Sequence, residues 1–443
     1  MQFSRALRVL SQPRVNSIAL VGAGGKTTSM FHLARELQTT TDLPVIVTAT
    51  THLGAWQTSL ADQHITANLA SDLESCWFQG VTLITGPVGD NGRASGVDNE
   101  VLSRLKSEAQ NLGTPLLIEA DGARQKSLKA PDAHEPAIPG FVEMVVVVAS
   151  LAVLNKPLTE EYVHRPEIFS RLSGLKIGEP VTSDAVVQVL THPNGGLKNI
   201  PLQARRVSLL TQADTSELQS IGGTMSDAML KEFDATIIVS SNYSNIQTFE
   251  RTAGIILAAG ASTRFGRPKQ LLDWRGEPFI RTIAKTAIES GLSPVVIVTG
   301  AYADQVEAAI QDLPVQIARN EEWQSGQASS IRDGVQSLPS KTGAATFLLA
   351  DQPQIKSDVI RALVAHHSTE LFPIVAPMVL MERRANPVLF DRDTFPNLMA
   401  LEGDVGGRAI FSKHRVEYLP WHDDSLLFDV DKPEDYPRMK ELE

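Results

Sequence analysis

Short apolar runs recur along the chain, separated by longer segments in which apolar positions return every three or four residues. The runs read as strands buried on both faces, and the segments between them as amphipathic helices. In the first half the runs are Ser17–Gly22, Pro44–Ala49, Val81–Thr85, Pro115–Glu119, Met144–Ala149 and Ala235–Ser240. In the second half a run opens at Gly254, and others fall near Val295–Thr299, Val315–Ala318, Thr346–Ala350, Ile374–Ala376 and Val416–Leu419. Helical patterns such as Phe279–Ser290 and Asp304–Gln311 lie between them. Alternation of this kind predicts an α/β protein with mainly parallel sheets flanked by helices, and ligands at the carboxyl ends of strands.

Two places open alike, with an apolar strand, a glycine-rich turn and a helical pattern. One is Ser17–Gly22 followed by Ala-Gly-Gly-Lys-Thr-Thr and a stretch to Gln38. The other is Gly254-Ile-Ile-Leu-Ala-Ala-Gly260 with a basic loop after it. Each reads as the first strand of a separate nucleotide-binding domain. The polar stretch Ser240–Glu250 lacks a sustained period, so the expected domains are 1–245 and 246–443.

Composition narrows the class. Of 443 residues, 42% are hydrophobic and 21% charged, which excludes a wholly disordered or fibrous chain. The formal charge of −11 argues against non-specific nucleic-acid binding, which needs a basic face. One cysteine, Cys76, excludes an intramolecular disulfide and any multi-cysteine metal site; an ordinary half-buried thiol is the expected reading. The run Met144–Leu154 is shorter than the roughly 20 residues of a membrane-spanning helix. Met1–Leu10 lacks the long apolar stretch of an export signal. A cytoplasmic protein with small-molecule substrates, without membrane or nucleic-acid partners, is expected.

The second half carries the sharper chemistry. In Leu257–Leu272, the small residues Ala258, Ala259 and Gly260 let a nucleotide lie against the backbone after Leu257. Arg264 and Lys269 then supply positive charge for phosphate, Arg as a fork and Lys as a point charge. The plain alternative is a glycine turn with two solvated cations. Asp351 ends a strand, where a carboxylate suits Mg²⁺, and Asp429 and Asp431 are placed to close the same site or to cap the final helix. The small polar cluster Trp323–Gly334 suits a base edge, or is a helix start capped by Ser325.

Leu257–Leu272 resembles the signature of the MobA-like nucleotidyltransferases, L-A-[AG]-G-x-S-x-R-[MF]-G-x-x-K-x-L-L. The resemblance continues over nearly all of 252–443, through Phe347–Pro353, Asn386–Phe390, Leu401–Arg408 and Phe428–Asp435. The last two segments resemble the MocA-like cytidylyltransferase branch. The resemblance implies a Rossmann-like nucleotidyltransferase that transfers CMP from CTP to molybdenum-bound molybdopterin with Mg²⁺, releasing pyrophosphate. It implies that Arg264, Lys269 and Asp351 are catalytic, and that Gly326, Ser329 and Ser330 line the base pocket. Asn386, Asp404 and Arg408, with Arg383 and Arg384, would face the second substrate; simple solvated charges are the alternative for Arg383 and Arg384. GTP as donor, a sugar phosphate as acceptor, and a non-catalytic cofactor chaperone remain open.

In the first half, Gly22, Gly24, Gly25, Lys26, Thr27 and Thr28 form a strand–loop–helix turn suited to phosphate. It is shorter than a full Walker A motif, with Leu20 where that motif has glycine. Glu119 and Asp121 end another strand and suit a metal or acid role, or a turn. Lys129, His134, Glu135, His164, Arg165 and His52 are further polar candidates. These pieces resemble the YqeC-like family of accessory proteins for selenium-dependent molybdenum hydroxylases over about 15–240. The resemblance implies a P-loop-like nucleotide-binding domain, and a molybdenum hydroxylase as the partner that receives the cofactor.

Overall fold

A computed structural model describes residues 1–90, 92–379, 383–430 and 432–441. It separates into two compact units, Met1–Phe249 and Glu250–Glu443. The first is built on nine strands: Ser17–Gly22 (β1), Val45–Ala49 (β2), Gln63–Thr66 (β3), Val81–Thr85 (β4), Leu116–Glu119 (β5), Met144–Ser150 (β6), Arg205–Thr211 (β7), Ala235–Val239 (β8) and Ile246–Glu250 (β9). Their order is β9-β8-β7-β6-β1-β5-β2-β4-β3, and every neighbouring pair from β8 to β3 is parallel.

The apolar runs are continuous because both faces of the sheet are covered. Ala19, Val21, Val145 and Val147 belong to the core on one face. Ile18, Leu20, Val146 and Val148 belong to the core on the other. Adjacent residues of one strand thus enter different cores, as the period-two pleat requires. The helix Asn99–Leu112 shows why the intervening segments end where they do. Asp98 accepts from the Val101 amide at 2.8 Å to start it, and Gly113 takes a left-handed conformation to stop it.

The second unit contains Thr252–Leu257 (β10), Val295–Thr299 (β11), Gln316–Arg319 (β12), Ala344–Leu349 (β13), Ile374–Val379 (β14), Arg383–Arg384 (β15), Val388–Asp391 (β16) and Val416–Trp421 (β17). Their order is β12-β11-β10-β13-β16-β14-β15, with β17 beside β14. β12 to β13 run parallel, and β16 is antiparallel to both of its neighbours. The chain leaves β10 toward β11 and later returns to its other side as β13, so a crevice opens at their carboxyl ends.

The stretch 240–250, expected as a polar boundary, contains β9 at the edge of the first sheet. Its exposure alternates because only one face is covered, which hides the strand from a search for continuous apolar runs. Cys76 is partly buried, and its thiol donates to the Asp72 carbonyl. Among the described residues no helix is long and apolar enough to cross a membrane.

Candidate functional site

After β10 the chain crosses the carboxyl edge of the second sheet as an irregular loop. Buried Gln270 holds this loop from behind. Its side-chain amide donates to the carbonyls of Ala258 at 2.9 Å and Gly260 at 2.8 Å. The Lys269 amide donates to Ser262 Oγ at 3.2 Å, which ties the two ends of the loop together. Lys269 Nζ then lies 2.7 Å from Asp351 Oδ2, just beyond β13. Arg264 is exposed on the loop.

The opposite wall comes from the segment before the helix Gln327–Gln336. The alternative of a Ser325 cap does not hold: the cap position is Gly326, without a side-chain acceptor. Asp404 Oδ1 instead accepts from the Gln327 amide at 3.2 Å, and the Gly403 carbonyl from Ala328 at 3.2 Å. Gly326 has φ +113°, and a Cβ there would stand 2.5 Å from the Gly403 carbonyl, so only glycine fits. Buried Asn320 donates to Ser329 Oγ at 2.8 Å and Ser330 Oγ at 2.9 Å, fixing the first turn of the helix.

Between these walls lies a cavity of about 670 Å³, within the range of small-molecule sites. Leu257, Ala259, Gly260, Arg264, Lys269, Gly326, Ser330, Asp351 and Asp404 line it. Ala258 and Ser329 do not: Ala258 is buried behind the loop, and the Ser329 hydroxyl donates to the Gly326 carbonyl at 2.8 Å. Asp404, expected at the second substrate, also has the local task of capping. Asn386 and Arg408 lie outside the lining and approach each other at 3.4 Å. Arg383 and Arg384 are exposed on β15. Asp429 accepts from the buried Gln352 side chain and does not cap the final helix, whose cap position is Glu434. Asp431 lies outside the described residues.

Among the described residues no group of three or more His, Cys, Asp or Glu is arranged to hold a metal. Mg²⁺ needs no such cage, because one or two carboxylates and the substrate's phosphates hold it. Asp351, partly exposed in the cavity that Lys269 and Arg264 also line, fits that role.

In the first unit the glycine loop links β1 to the helix Lys26–Thr41. Lys26 is buried and folded back. Its Nζ donates to the Gly22 carbonyl at 2.6 Å and pairs with Asp121 at 3.0 Å, with Glu119 at 3.9 Å. Thr27 Oγ1 donates to Glu119 Oε2 at 2.6 Å. Three of the other polar candidates extend this network. Lys129 pairs with Asp121 at 3.0 Å and Glu135 at 2.7 Å, and Arg165 grips Glu135 with two nitrogens at 2.5 and 3.1 Å.

The field in this network is strong. Burial opposes the charge on Lys26, but Asp121 and Glu119 outweigh it and raise its pKa. Burial raises Glu119 against the pull of Lys26 and the Thr27 hydroxyl. Burial also works to raise Glu135, yet Arg165 and Lys129 hold it at about 2. His164 is lowered to about 4 by burial and then by the cations Arg165, Lys129 and Arg124. His134 is exposed, and His52 borders a cavity of about 610 Å³ above the loop. Gly24, Gly25, Lys26, Thr27, Thr28 and Glu119 line that cavity; Gly22 and Asp121 do not, and the Gly22 amide donates to Asp121 Oδ2 at 3.0 Å.

Each of the two units is similar to known proteins. Residues 18–167 match the family model described as YqeC protein, and residues 254–418 the MobA-like NTP transferase domain. An uncharacterized protein YqeC from Escherichia coli is 31% identical over 47% of this chain and 80% of its own length. Nicotine blue oxidoreductase from Paenarthrobacter nicotinovorans is 34% identical over 42% of this chain and 95% of its own. A probable molybdenum cofactor guanylyltransferase from Bacillus mycoides is 29% identical over 31% of this chain and 66% of its own.

Proposed function

Because the chain belongs to the YqeC family through its first unit and to the MobA-like nucleotidyltransferases through its second, we propose that the second unit transfers CMP from CTP to molybdenum-bound molybdopterin. The first unit would bind a nucleotide and assist in modifying or delivering the cofactor to a molybdenum hydroxylase. The observation that carries the reading is the Lys269–Asp351 pair, set beneath a glycine-rich loop at the mouth of a nucleotide-sized cavity. The relative named as a molybdenum cofactor guanylyltransferase supports the acceptor and keeps GTP as the competing donor.

The reaction joins the acceptor's phosphate oxygen to the α-phosphorus of the triphosphate. The bond from the α-phosphorus to the bridging oxygen breaks, and pyrophosphate leaves. A phosphate monoester has a second pKa of about 6, so the attacking group is largely anionic and needs no dedicated base. The protein's task is in-line positioning and charge stabilisation. The loop Leu257–Gly260 receives the nucleoside with its backbone, and Ser330 and the Gly326 segment border the base. Arg264 holds the outer phosphates from the rim. Lys269 leaves Asp351 for the α-phosphate as charge develops there. Asp351 would hold Mg²⁺, which supplies Lewis-acid neutralisation of the phosphates when bound.

The test follows labelled CMP from α-labelled CTP into the pterin product. Transfer by the intact chain is expected, with Lys269→Ala lowering turnover by about 10²–10³-fold, the usual cost of losing one transition-state donor. Unchanged turnover in Lys269→Ala would remove that residue from the mechanism.

A further inference from the structure

The cavity of the first unit carries more than a glycine loop. Thr27 Oγ1 and Glu119 Oε2 meet 2.6 Å apart on its lining. A hydroxyl and a carboxylate side by side suit a hard divalent cation that completes its shell with phosphate oxygens and water. Lys26 is adjacent, at the start of the helix. Arg93, Arg124 and Lys126 also line the cavity, so cations outnumber the one lining carboxylate even with Lys26 paired to Asp121 and Glu119. That excess favours a polyphosphate over a single phosphate.

Another part of the wall is aromatic. Trp56 borders the cavity and is 63% exposed, although an indole is among the largest apolar groups. It rests against Gly54, where a Cβ would stand 2.6 Å from the indole Nε1. The missing side chain leaves the ring room beside the backbone. An open indole is a platform for a planar heterocycle, and stacking tolerates any base.

We propose that this cavity binds a nucleoside triphosphate together with a divalent cation. The polyphosphate lies on the glycine loop, the cation sits at the Thr27–Glu119 pair, and the base stacks on Trp56. The proposal rests on the reading of the first unit as a nucleotide-binding module; it adds the metal, the polyphosphate and the platform. The chain then holds two nucleotides of different purpose, one spent at the second unit and one bound here.

The experiment titrates the full chain with the non-hydrolysable analogues AMPPNP and GMPPNP and with AMP and GMP, with CTP left out because it would compete for a platform that accepts any base. Calorimetry and tryptophan quenching report binding, with and without Mg²⁺. At least one triphosphate analogue is expected to bind with Mg²⁺ and to weaken about tenfold or more when Mg²⁺ is removed, and the monophosphates to bind weakly. Thr27→Val should abolish the Mg²⁺ dependence. Trp56→Leu should weaken binding by about tenfold or more and remove the quenching. Circular dichroism of each variant establishes that it is folded. Absence of binding by the folded chain, binding that survives Lys26→Ala, or equal affinity for monophosphates would overturn the site. Unchanged affinity in Trp56→Leu would overturn the platform. Cytidylyl transfer, measured separately on the same samples, keeps failure here distinct from failure of the second unit.

Discussion

Chemistry at single positions is set by which partner each charged atom has before substrate arrives. Lys269 and Asp351 neutralise each other at 2.7 Å, so the proposed mechanism requires both to exchange partners when a nucleotide binds. Gln270 takes no part in that exchange but positions it. Buried, it supports two loop carbonyls, and Gln270→Leu leaves both without their donor. The expected result is a loss of about 1–3 kcal/mol in the second unit's unfolding free energy, read by urea titration, with a higher KM for the nucleotide. An unchanged unfolding midpoint would show that the loop holds itself. Arg264, Lys269 and Asp351, which the structure brings to one cavity, stand out in the sequence because each sits in a short motif whose chemistry is local. The capping task of Asp404 does not, because its partner amide, on Gln327, lies 77 positions away. Gln270, Asn320 and Gln352 belong to no motif whose chemistry would single them out. The only signal was their place beside residues already singled out.

At the scale of elements, the runs that form doubly covered strands were readable because both faces demand apolar side chains. β3 and β9 escaped because their burial alternates, leaving too few apolar residues in sequence, and β7 and β16 escaped although they are buried, β7 because Arg205, Arg206, Ser208 and Thr211 interrupt its apolar run and β16 because it is only four residues long. The ion-pair network that runs from Lys26 to Arg165 was legible as ingredients but not as a connected object, since its pairings join four separate segments, Lys26–Thr27, Glu119–Asp121, Lys129–Glu135 and Arg165. Its pH dependence follows from the shifts. His164 has its pKa lowered to about 4 from 6.5, so the unfolded chain takes up its proton first, and stability falls as pH drops from about 6.5 through about 4. Glu135, held near 2 against 4.5, contributes fully above 4.5, and its contribution is lost as pH falls from there through about 2. Urea unfolding of the first unit should therefore shift to lower denaturant below pH 6.5. His164→Gln should flatten the upper part of that decline and leave the lower part. A decline unaffected by the substitution would place its origin in other groups.

The whole molecule consists of two compact units, each with hydrophobic clusters drawn from its own residues. Two calorimetric transitions are the expected consequence. CTP with Mg²⁺ should raise one of them, by about 2.7 kcal/mol at a hundredfold excess over its dissociation constant. A single transition that moves as a whole would contradict independent cores. The α/β class and the presence of two phosphate-suited loops were readable at this scale from the repeated strand–glycine–helix pattern. Donor and acceptor identity were not, since glycine amides and cations recognise phosphate without reading the base. The most direct test is Mg²⁺-dependent pyrophosphate release by the full chain with molybdenum-bound molybdopterin, offering CTP, GTP and ATP separately beside an Asp351→Asn control. Release selective for CTP and lost in the control is the predicted result. No release with any of the three, from folded chain loaded with the pterin, would contradict cytidylyl transfer and leave a role in binding or delivery.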